Sequence, residues 1–362
     1  MNPTILFILH LPPPVHGAAM MGKYIQESKI INEAFDCHYI NLTTATSLQD
    51  IGKGGIKKLF RYLKLLVTIV RAVRMLKPQL VYMTPNAGGG AFYKDFFVVQ
   101  LLKTMGCNIV AHYHNKGVST RQNRWFDDKL YRLFFKKLKV ILLAETLYDD
   151  VKKYVARKDV YICHNGIPEV ADAEPIAKGN DVPHILFLSN MLIDKGVIIL
   201  LDALKILKEK GCSFVADFVG GETKEINAAT FEQEVKARGV NAIYHGSCYG
   251  EDKVRFLKES DIMAFPSLNE CFPLVLLEAM QYGTPVVSTY QGGIPDIVID
   301  GETGFLCPIK DAATFADRLE TLLSDAALRT TMGKKGYIRF KEHFTLTHFE
   351  QHLKDILTPQ NS

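Results

Sequence analysis

The sequence predicts an α/β protein with two doubly wound, Rossmann-like domains that face each other across a cleft. Short apolar runs of strand length alternate with amphipathic segments along the chain, and this alternation is typical of parallel sheets covered by helices on both faces. The 362 residues are enough for two separate hydrophobic cores. Strands are expected at residues 5–9, 38–42, 80–83, 108–112 and 140–143, and again at 184–188, 214–219, 242–244, 262–265 and 285–288.

One polar stretch sets the domain boundary. Residues 169–181, EVADAEPIAKGND, are rich in alanine, proline and glycine, which is the composition of a linker. We therefore expect an N-terminal domain over residues 1–168, a linker over 169–181 and a C-terminal domain over 182–340. Open α/β sheets bind ligands at the carboxyl ends of their strands, so the cleft is the expected ligand site.

Composition narrows the class of protein. Hydrophobic residues make up 48% of the chain and charged residues 23%, as in globular proteins, and the net charge of +4 does not by itself indicate a nucleic-acid partner. The seven cysteines form no CxxC pair, which argues for a reducing compartment and against a zinc knuckle. The apolar start of the chain resembles a first strand more than a signal peptide. We expect a cytoplasmic protein.

The most informative segment is 269–287, NECFPLVLLEAMQYGTPVV. Its two glutamates, Glu270 and Glu278, lie eight positions apart at a loop-to-helix junction. Pro273 suits the first turn of a helix, because its missing N–H costs nothing there. At a rise of about 1.5 Å per residue, the two carboxylates can lie on the order of 10 Å apart.

The helix start between these glutamates suits an anion. Cys271, Phe272 and Leu274 present backbone amides there, and the helix dipole adds to their attraction for a phosphate. A phosphate between two carboxylates suggests an elongated ligand with hydroxyl groups at both ends, as in a nucleoside diphosphate sugar. The alternative is an ordinary helix of a parallel sheet with Glu278 partly exposed.

Other predicted strand ends carry groups that suit the same ligand. Gly17 follows the first strand and lets backbone approach a ligand, although a simple tight turn is the alternative. Lys195 lies at a turn where it can meet a phosphate, or else is a surface lysine. Gly246 opens a loop suited to a nucleobase. His112 and His114 lie on one face of a strand and are expected to line the cleft, and a metal there would need a third ligand that the sequence does not supply.

Residues 53–77 combine eight basic residues with no acidic residue. An apolar stripe at helical spacing accompanies them: Ile56, Leu59, Phe60, Leu63, Leu66, Val67 and Val70. The first interpretation is a helix packed through this stripe with a solvated basic face. The second adds the basic stretch 129–139, KLYRLFFKKLK, and predicts peripheral contact with an anionic membrane, at about 1 kcal/mol per cation.

Together these motifs resemble glycosyltransferase family 4, which has retaining enzymes of the GT-B fold. The resemblance covers nearly the whole chain and is strongest from residue 188 to residue 306. It is carried by the Glu270 and Glu278 pair, DKG at 194–196, GGIPDIVIDGETGFL from residue 292, and HNGIP at 164–168. It implies an acceptor-side first domain, a nucleotide-sugar-binding second domain, and a last helix within 341–362 that crosses back to the first domain.

The resemblance also implies a role for each matching residue. Glu270 would hold donor-sugar hydroxyls, Glu278 the ribose diol and Lys195 the diphosphate, while His114 would lie near the donor sugar. The implied catalytic residues are thus Glu270, His114 and Lys195. The remaining donor-binding positions are Gly17, Asn190, Gly246, Ser247, Cys248, Cys271, Phe272, Leu274 and Val275.

One departure concerns the diphosphate. Family members commonly carry an arginine shortly before the lysine, where this chain has Asn190, which donates a hydrogen bond but brings no charge.

The implied reaction is transfer of a hexose, with UDP favoured over GDP as the carrier, to a saccharide or lipid-linked acceptor in surface polysaccharide or glycolipid biosynthesis. No DxD motif occurs, so we expect no metal and no cofactor. The alternatives are a nucleotide-sugar epimerase on the same fold and a non-catalytic nucleotide-sugar-binding subunit.

Overall fold

The protein is represented by a computed structural model. It describes residues 2–13, 17–43, 56–171, 173, 178 and 180–358, and for residues 56–58 it describes the backbone alone.

Strands and helices alternate through the first part of the chain. In order they are β1 (Thr4–Leu9), α1 (Gly17–Glu27), α2 (Lys29–Ala34), β2 (Asp36–Asn41), α3 (Ile56–Leu76), β3 (Leu80–Met83), α4 (Gly89–Thr104), β4 (Ile109–His112), α5 (Trp125–Phe135), β5 (Lys139–Leu142), α6 (Tyr148–Val151) and β6 (Val160–Ile162). The strands described here form one parallel sheet in the order β2-β1-β3-β4-β5-β6.

The second part repeats this plan. Its elements are β7 (His184–Leu188), α7 (Val197–Glu209), β8 (Val215–Val219), α8 (Ala228–Arg238), β9 (Ala242–Tyr244), α9 (Gly250–Glu259), β10 (Ile262–Phe265), α10 (Leu274–Gln281), β11 (Val286–Thr289), α11 (Ile294–Ile297), β12 (Gly304–Cys307), α12 (Ala312–Ser324), α13 (Ala326–His343) and α14 (Leu346–Leu357). The strands in the described residues form a parallel sheet in the order β12-β11-β10-β7-β8-β9.

The chain divides into two compact units. The first unit comprises Met1–Asn165 with Leu346–Ser362, and the second unit is Gly166–Thr345. The predicted α/β class with two doubly wound domains is confirmed. In the first unit, α14 packs against α2.

Apolar runs explain the strands at the centre of each sheet. Residues 5–9 of β1 are at most 1% exposed, and all four residues of β10 are equally buried. A parallel strand is covered by helices on both faces, so its sequence is continuously apolar and does not alternate.

Two strands were absent from the prediction. β6 has three residues and β12 has four, and each lies at the edge of its sheet. Such short edge strands have too few apolar residues to stand out, and β12 directly follows the turn at Gly301.

The described residues of the predicted linker are bound to the second unit. The Val170 N–H donates to Gln281 Oε1 at 2.6 Å, and Lys178 Nζ donates to Thr284 Oγ1 at 2.5 Å and also to the Ser260 carbonyl oxygen. Burial lowers the pKa of Lys178 to about 8. This segment is therefore anchored at those points.

The predicted packing of α3 is wrong. Leu65, Ile69 and Val73, spaced four residues apart, face the core. Most of the predicted apolar stripe instead faces solvent, with Phe60 75% exposed and Leu63 50% exposed. The long helix carries apolar residues on more than one side, so the sequence pattern alone could not show which stripe the sheet would cover.

Candidate active site at the carboxyl edge of the second sheet

The loops that follow β7 and β10 are joined at the carboxyl edge of the second sheet. These strands are neighbours, so their ends lie side by side. The Leu268 N–H donates to the Asp194 carbonyl oxygen at 2.8 Å, and Ser267 Oγ donates to the same oxygen at 3.2 Å. Gly196 has φ of +86°, and a Cβ there would lie 2.1 Å from the Pro266 carbonyl oxygen. Glycine thus permits this close approach.

This contact brings Lys195 to Glu270. Lys195 ends a short 3-10 helix, Ile193–Lys195, and its Nζ donates to Glu270 Oε2. The two side chains are 23% and 15% exposed respectively, so both remain reachable from solvent. The Cys271 N–H lies 3.3 Å from Glu270 Oε1. The predicted phosphate lysine and the predicted sugar glutamate therefore form one ion pair.

The start of α10 directly follows this ion pair. Pro273 precedes Leu274, the first helical residue, and no side chain caps the helix. The first-turn amides of Leu274 and Val275 thus belong to an uncapped helix end, which favours an anion. Phe272 is 5% exposed and its ring packs against Phe344, so that side chain is structural and only its backbone can serve the ligand.

Glu278 forms a second ion pair on the same helix. Lys253 Nζ, on α9, lies 2.8 Å from one carboxylate oxygen and 2.7 Å from the other. The Tyr282 side chain lies one turn further along; burial, and to a lesser degree the charge of Glu278, raise its pKa. Each of the two glutamates singled out from the sequence is therefore held by a lysine from another element.

The predicted base-binding loop lies on the other side of β7. The Gly220 N–H donates to the Gly246 carbonyl oxygen at 2.8 Å. A Cβ placed on Gly221 would lie 3.0 Å from Asn190 Oδ1 and 3.2 Å from Ser247 Oγ, which brings these two predicted residues close together. Cys248 Sγ contacts the Gly246 carbonyl oxygen at 4.0 Å.

The other two predicted site residues belong to the first unit. Gly17 is the first residue of α1, and a Cβ there would meet nothing within 4 Å. The His114 ring lies 4.3 Å from that of His112. His112 itself is fully buried, with Nδ1 2.5 Å from the Tyr82 hydroxyl, and burial, followed by the charge of His114, keeps its pKa well below the ordinary range. The expectation that His112 lines a cleft is wrong, since its side chain is inside the unit.

A polar network follows β1 and β3 in the first unit. Asn86 donates from both its backbone N–H and its Nδ2 to Asp95 Oδ2, each at 2.8 Å, and its Nδ2 lies 3.3 Å from His10 Nε2. Burial raises the pKa of Asp95 to about 6. The carboxyl group thus fixes the loop after β3 from beneath.

Sequence reasoning missed Lys253 and Gly221. Lys253 occurs in an amphipathic segment where a lysine is normally a solvated surface residue, and no local signal connects it with Glu278. Gly221 had a signal, since a Gly-Gly pair directly after a strand indicates a close backbone approach.

Neither a metal-binding cluster nor a membrane-spanning helix occurs among the described residues. They contain no group of three or more His, Cys, Asp or Glu side chains arranged to hold a metal ion. Within the same part of the chain, every helix is too short or too polar to cross a bilayer.

Residues 170–339 match the family model described as "Glycosyl transferases group 1". The matched residues lie inside the second unit, Gly166–Thr345. The predicted resemblance to glycosyltransferases is thereby confirmed, and the matched region contains both ion pairs and the start of α10.

Curated relatives match part of the chain. N-acetyl-alpha-D-glucosaminyl L-malate synthase of Bacillus anthracis is 36% identical over 121 residues, which are 30% of this chain and 32% of that protein. The capsular polysaccharide biosynthesis glycosyltransferase CapM of Staphylococcus aureus is 30% identical over 168 residues, 46% of this chain and 43% of that protein. The chain thus spans less than half the length of the curated relatives it matches.

A solved structure matches along the whole chain. Anabaena Alr3699/HepE in complex with UDP aligns with a TM-score of 0.74 and 16% identity, covering 98% of this chain and 99% of that one. This likeness confirms the GT-B fold.

Proposed function

We propose that the protein is a retaining glycosyltransferase of family 4 that moves a hexose from a nucleoside diphosphate sugar, with UDP favoured, to a saccharide or lipid-linked acceptor. The observation that carries this proposal is the Lys195–Glu270 ion pair beside the uncapped start of α10, within the residues that match the group 1 family model. The UDP bound to the Anabaena protein supports the choice of nucleotide. The name of the Staphylococcus aureus relative supports the polysaccharide setting.

The Lys195–Glu270 ion pair opens when the donor binds, whereas the Lys253–Glu278 pair stays in place. The diphosphate lies on the amides at the start of α10 and draws Lys195 away from Glu270. The Glu270 carboxylate then accepts hydrogen bonds from hydroxyl groups of the sugar. The Glu278 carboxylate accepts hydrogen bonds from the two ribose hydroxyl groups, and Lys253 fixes the orientation of that carboxylate. Gly246, Ser247 and Cys248 border the base.

In the transfer step, the bond between the anomeric carbon and the diphosphate oxygen breaks. A bond from that carbon to the acceptor oxygen forms on the same face of the sugar, and the acceptor proton passes to the departing phosphate oxygen. Negative charge increases on the diphosphate, so Lys195 and the helix amides stabilise the transition state more than the bound donor. Asn190 contributes a hydrogen bond in place of the family's arginine charge.

A donor panel tests this function. Saturation-transfer NMR with UDP-, GDP- and ADP-sugars should show one preferred donor, and sugar turnover should follow with a suitable acceptor. Glu270→Gln should keep the fold and lower kcat/KM by about 10²–10³-fold. Glu209→Gln is the matched control, because Glu209 is also paired with a lysine, Lys205, but lies on the exposed side of α7. A chain that binds no sugar nucleotide, or a Glu270→Gln variant as active as wild type, would refute the proposal.

The first unit supplies the acceptor side, and we propose that it docks on anionic membrane through α3. Leu59, Phe60, Leu63 and Val67 are at least 50% exposed on this helix, and Lys64, Arg71 and Arg74 are exposed on the same side. Apolar residues flanked by cations bind the surface of an anionic bilayer.

Vesicle cosedimentation tests the docking. Binding should require anionic phosphatidylglycerol, weaken as salt rises, and fall sharply in the Phe60→Ser/Leu63→Ser variant. Ile338→Ser is the control, since Ile338 is 53% exposed in the second unit. Equal binding to neutral vesicles, or no loss in the α3 variant, would contradict docking through this face.

A further inference from the structure

A cavity of about 800 Å³ opens at the amino edge of the first sheet. Its walls include the first or second residue of five strands, among them Ile5 of β1, Leu80 of β3 and Ile109 of β4. The candidate active site uses the carboxyl edge of the other sheet, so this cavity belongs to a different site. Its volume falls in the range of small-molecule sites.

The lining combines hydrocarbon with positive charge. Lys103, Lys136, Lys137 and Lys139 contribute to the wall, and none of the described residues that line it is Asp or Glu. Leu133, Leu138 and Leu357 are among the apolar residues beside them. A ligand that fits must be anionic at one end and apolar at the other.

Two polar groups support a bound anion. Gln100 Nε2 is buried and has no hydrogen-bond partner among the residues that the structure describes, and a buried donor left without an acceptor is costly. Lys103 Nζ donates to the carbonyl oxygens of Leu133 at 2.7 Å and Phe134 at 2.6 Å, which leaves its third N–H for a ligand. Burial and the charge of Lys136 lower the pKa of Lys103 to about 8. The protonated amine therefore has too little negative charge around it, which a bound anion would supply.

We infer that this cavity binds the phosphate headgroup and adjoining hydrocarbon of an anionic phospholipid. The phosphate lies among the lysines and accepts a hydrogen bond from Gln100, and the first methylene groups of the chains contact the leucines. The end of α3, the helix of the proposed membrane face, lies close to the cavity along the chain, because α3 ends at Leu76, three residues before the lining residue Gln79. Leu133 on the wall is 51% exposed, which provides an apolar path to the mouth.

Calorimetric titration of the full chain with dihexanoylphosphatidylglycerol below its micelle concentration tests the assignment. We expect saturable binding, no comparable binding of dihexanoylphosphatidylcholine, and weaker binding of inorganic phosphate. Lys136→Gln/Lys139→Gln should weaken affinity by about tenfold or more, because charge-assisted hydrogen bonds to the phosphate are lost. Gln100→Leu should weaken it while its unfolding temperature stays at or above that of wild type, since no existing bond of Nε2 is removed.

Three controls isolate the site. Lys205→Gln, a lysine change in the second unit, and Phe60→Ser/Leu63→Ser, on α3, should bind the monomeric lipid as wild type does. UDP affinity should be unchanged in the cavity variants, so failure of the donor proposal and failure of this one are distinguishable. Equal binding of the zwitterionic lipid, equally tight binding of inorganic phosphate, absence of saturable binding, or undiminished affinity in the lysine and glutamine variants would each overturn the assignment.

Discussion

At the scale of single residues, Gly292 holds the loop after β11 against the loop that carries Glu270. Its φ is +55°, and a Cβ there would lie 2.1 Å from the Glu270 carbonyl oxygen. The next residue, Gly293, donates its N–H to the Cys271 carbonyl oxygen at 2.7 Å. A side chain at 292 would therefore displace the backbone from which Glu270 projects.

Gly292→Ala should combine backbone strain with overlap and destabilise the second unit by about 2–4 kcal/mol. It should also raise the KM for donor. Gly301→Ala is the matched control, because Gly301 has φ of +77° but open space around its Cβ position, so it should cost only about 1 kcal/mol. Urea unfolding and donor titration measure both effects, and equal costs for the two variants would contradict the overlap argument.

Asp95 makes the stability of the first unit depend on pH. Burial raises its pKa from 3.8 to about 6, so the folded state favours the protonated carboxyl group. The stability is then fully present below about pH 4, falls as pH rises through 6 and is constant above, with a loss of about 3 kcal/mol. Asp95→Asn should remove this slope, because the amide of asparagine does not titrate. Its side-chain oxygen can still accept from Asn86, so the loop should keep its structure.

The measurement is urea unfolding at several pH values, followed by pulsed hydrogen–deuterium labelling at one fixed pH. Peptides from β3 and β4 report the first unit separately from the second. An unchanged slope in Asp95→Asn would assign the pH dependence to another group.

At the scale of elements, α14 completes the first unit from the far end of the chain. Phe349 is 2% exposed and Leu353 is fully buried, and the helix packs against α2. Glu350 is also nearly buried, and burial raises its pKa. The helix is therefore part of the first core.

Leu353→Ala should destabilise the first unit by about 2–5 kcal/mol through lost burial and the cavity left behind. Hydrogen exchange should quicken in β1 and α2 and stay slow in β7 and β10. Gln351→Ala is the control on the exposed side of the same helix and should change little. Faster exchange in β7 and β10 would contradict the assignment of α14 to the core of the first unit.

At the scale of the whole molecule, the second unit is one continuous stretch, Gly166–Thr345, whereas the first unit needs both ends of the chain. The six described strands of the second sheet all belong to that stretch. The same stretch contains Lys195, Lys253, Glu270 and Glu278.

A fragment of residues 166–345 should therefore fold alone and bind UDP, with affinity lower than that of the full chain. A fragment of residues 1–165 should melt at a lower temperature than residues 1–165 mixed with a peptide of residues 346–362. Circular dichroism and calorimetry measure both. A second-unit fragment that is unfolded, or a first-unit fragment indifferent to the peptide, would contradict the division.

The fold class could be predicted from local patterns in the sequence. Continuous apolar runs such as 262–265 indicate buried parallel strands without knowledge of their neighbours, and Pro273 between Glu270 and Glu278 indicates the loop-to-helix junction. The short edge strands β6 and β12 were not accessible, because their few residues gain strand conformation from pairing with a neighbour.

The sequence by itself determined the alternation of strands and helices, the start of α10 and the glutamates beside it, because each follows from residues close together in the chain. Only the tertiary structure decided that Lys195 pairs with Glu270 and Lys253 with Glu278, and that Leu65, Ile69 and Val73 are the face of α3 that the core covers. These depend on which elements become neighbours when the sheets assemble, and that order arises from contacts between residues far apart in sequence.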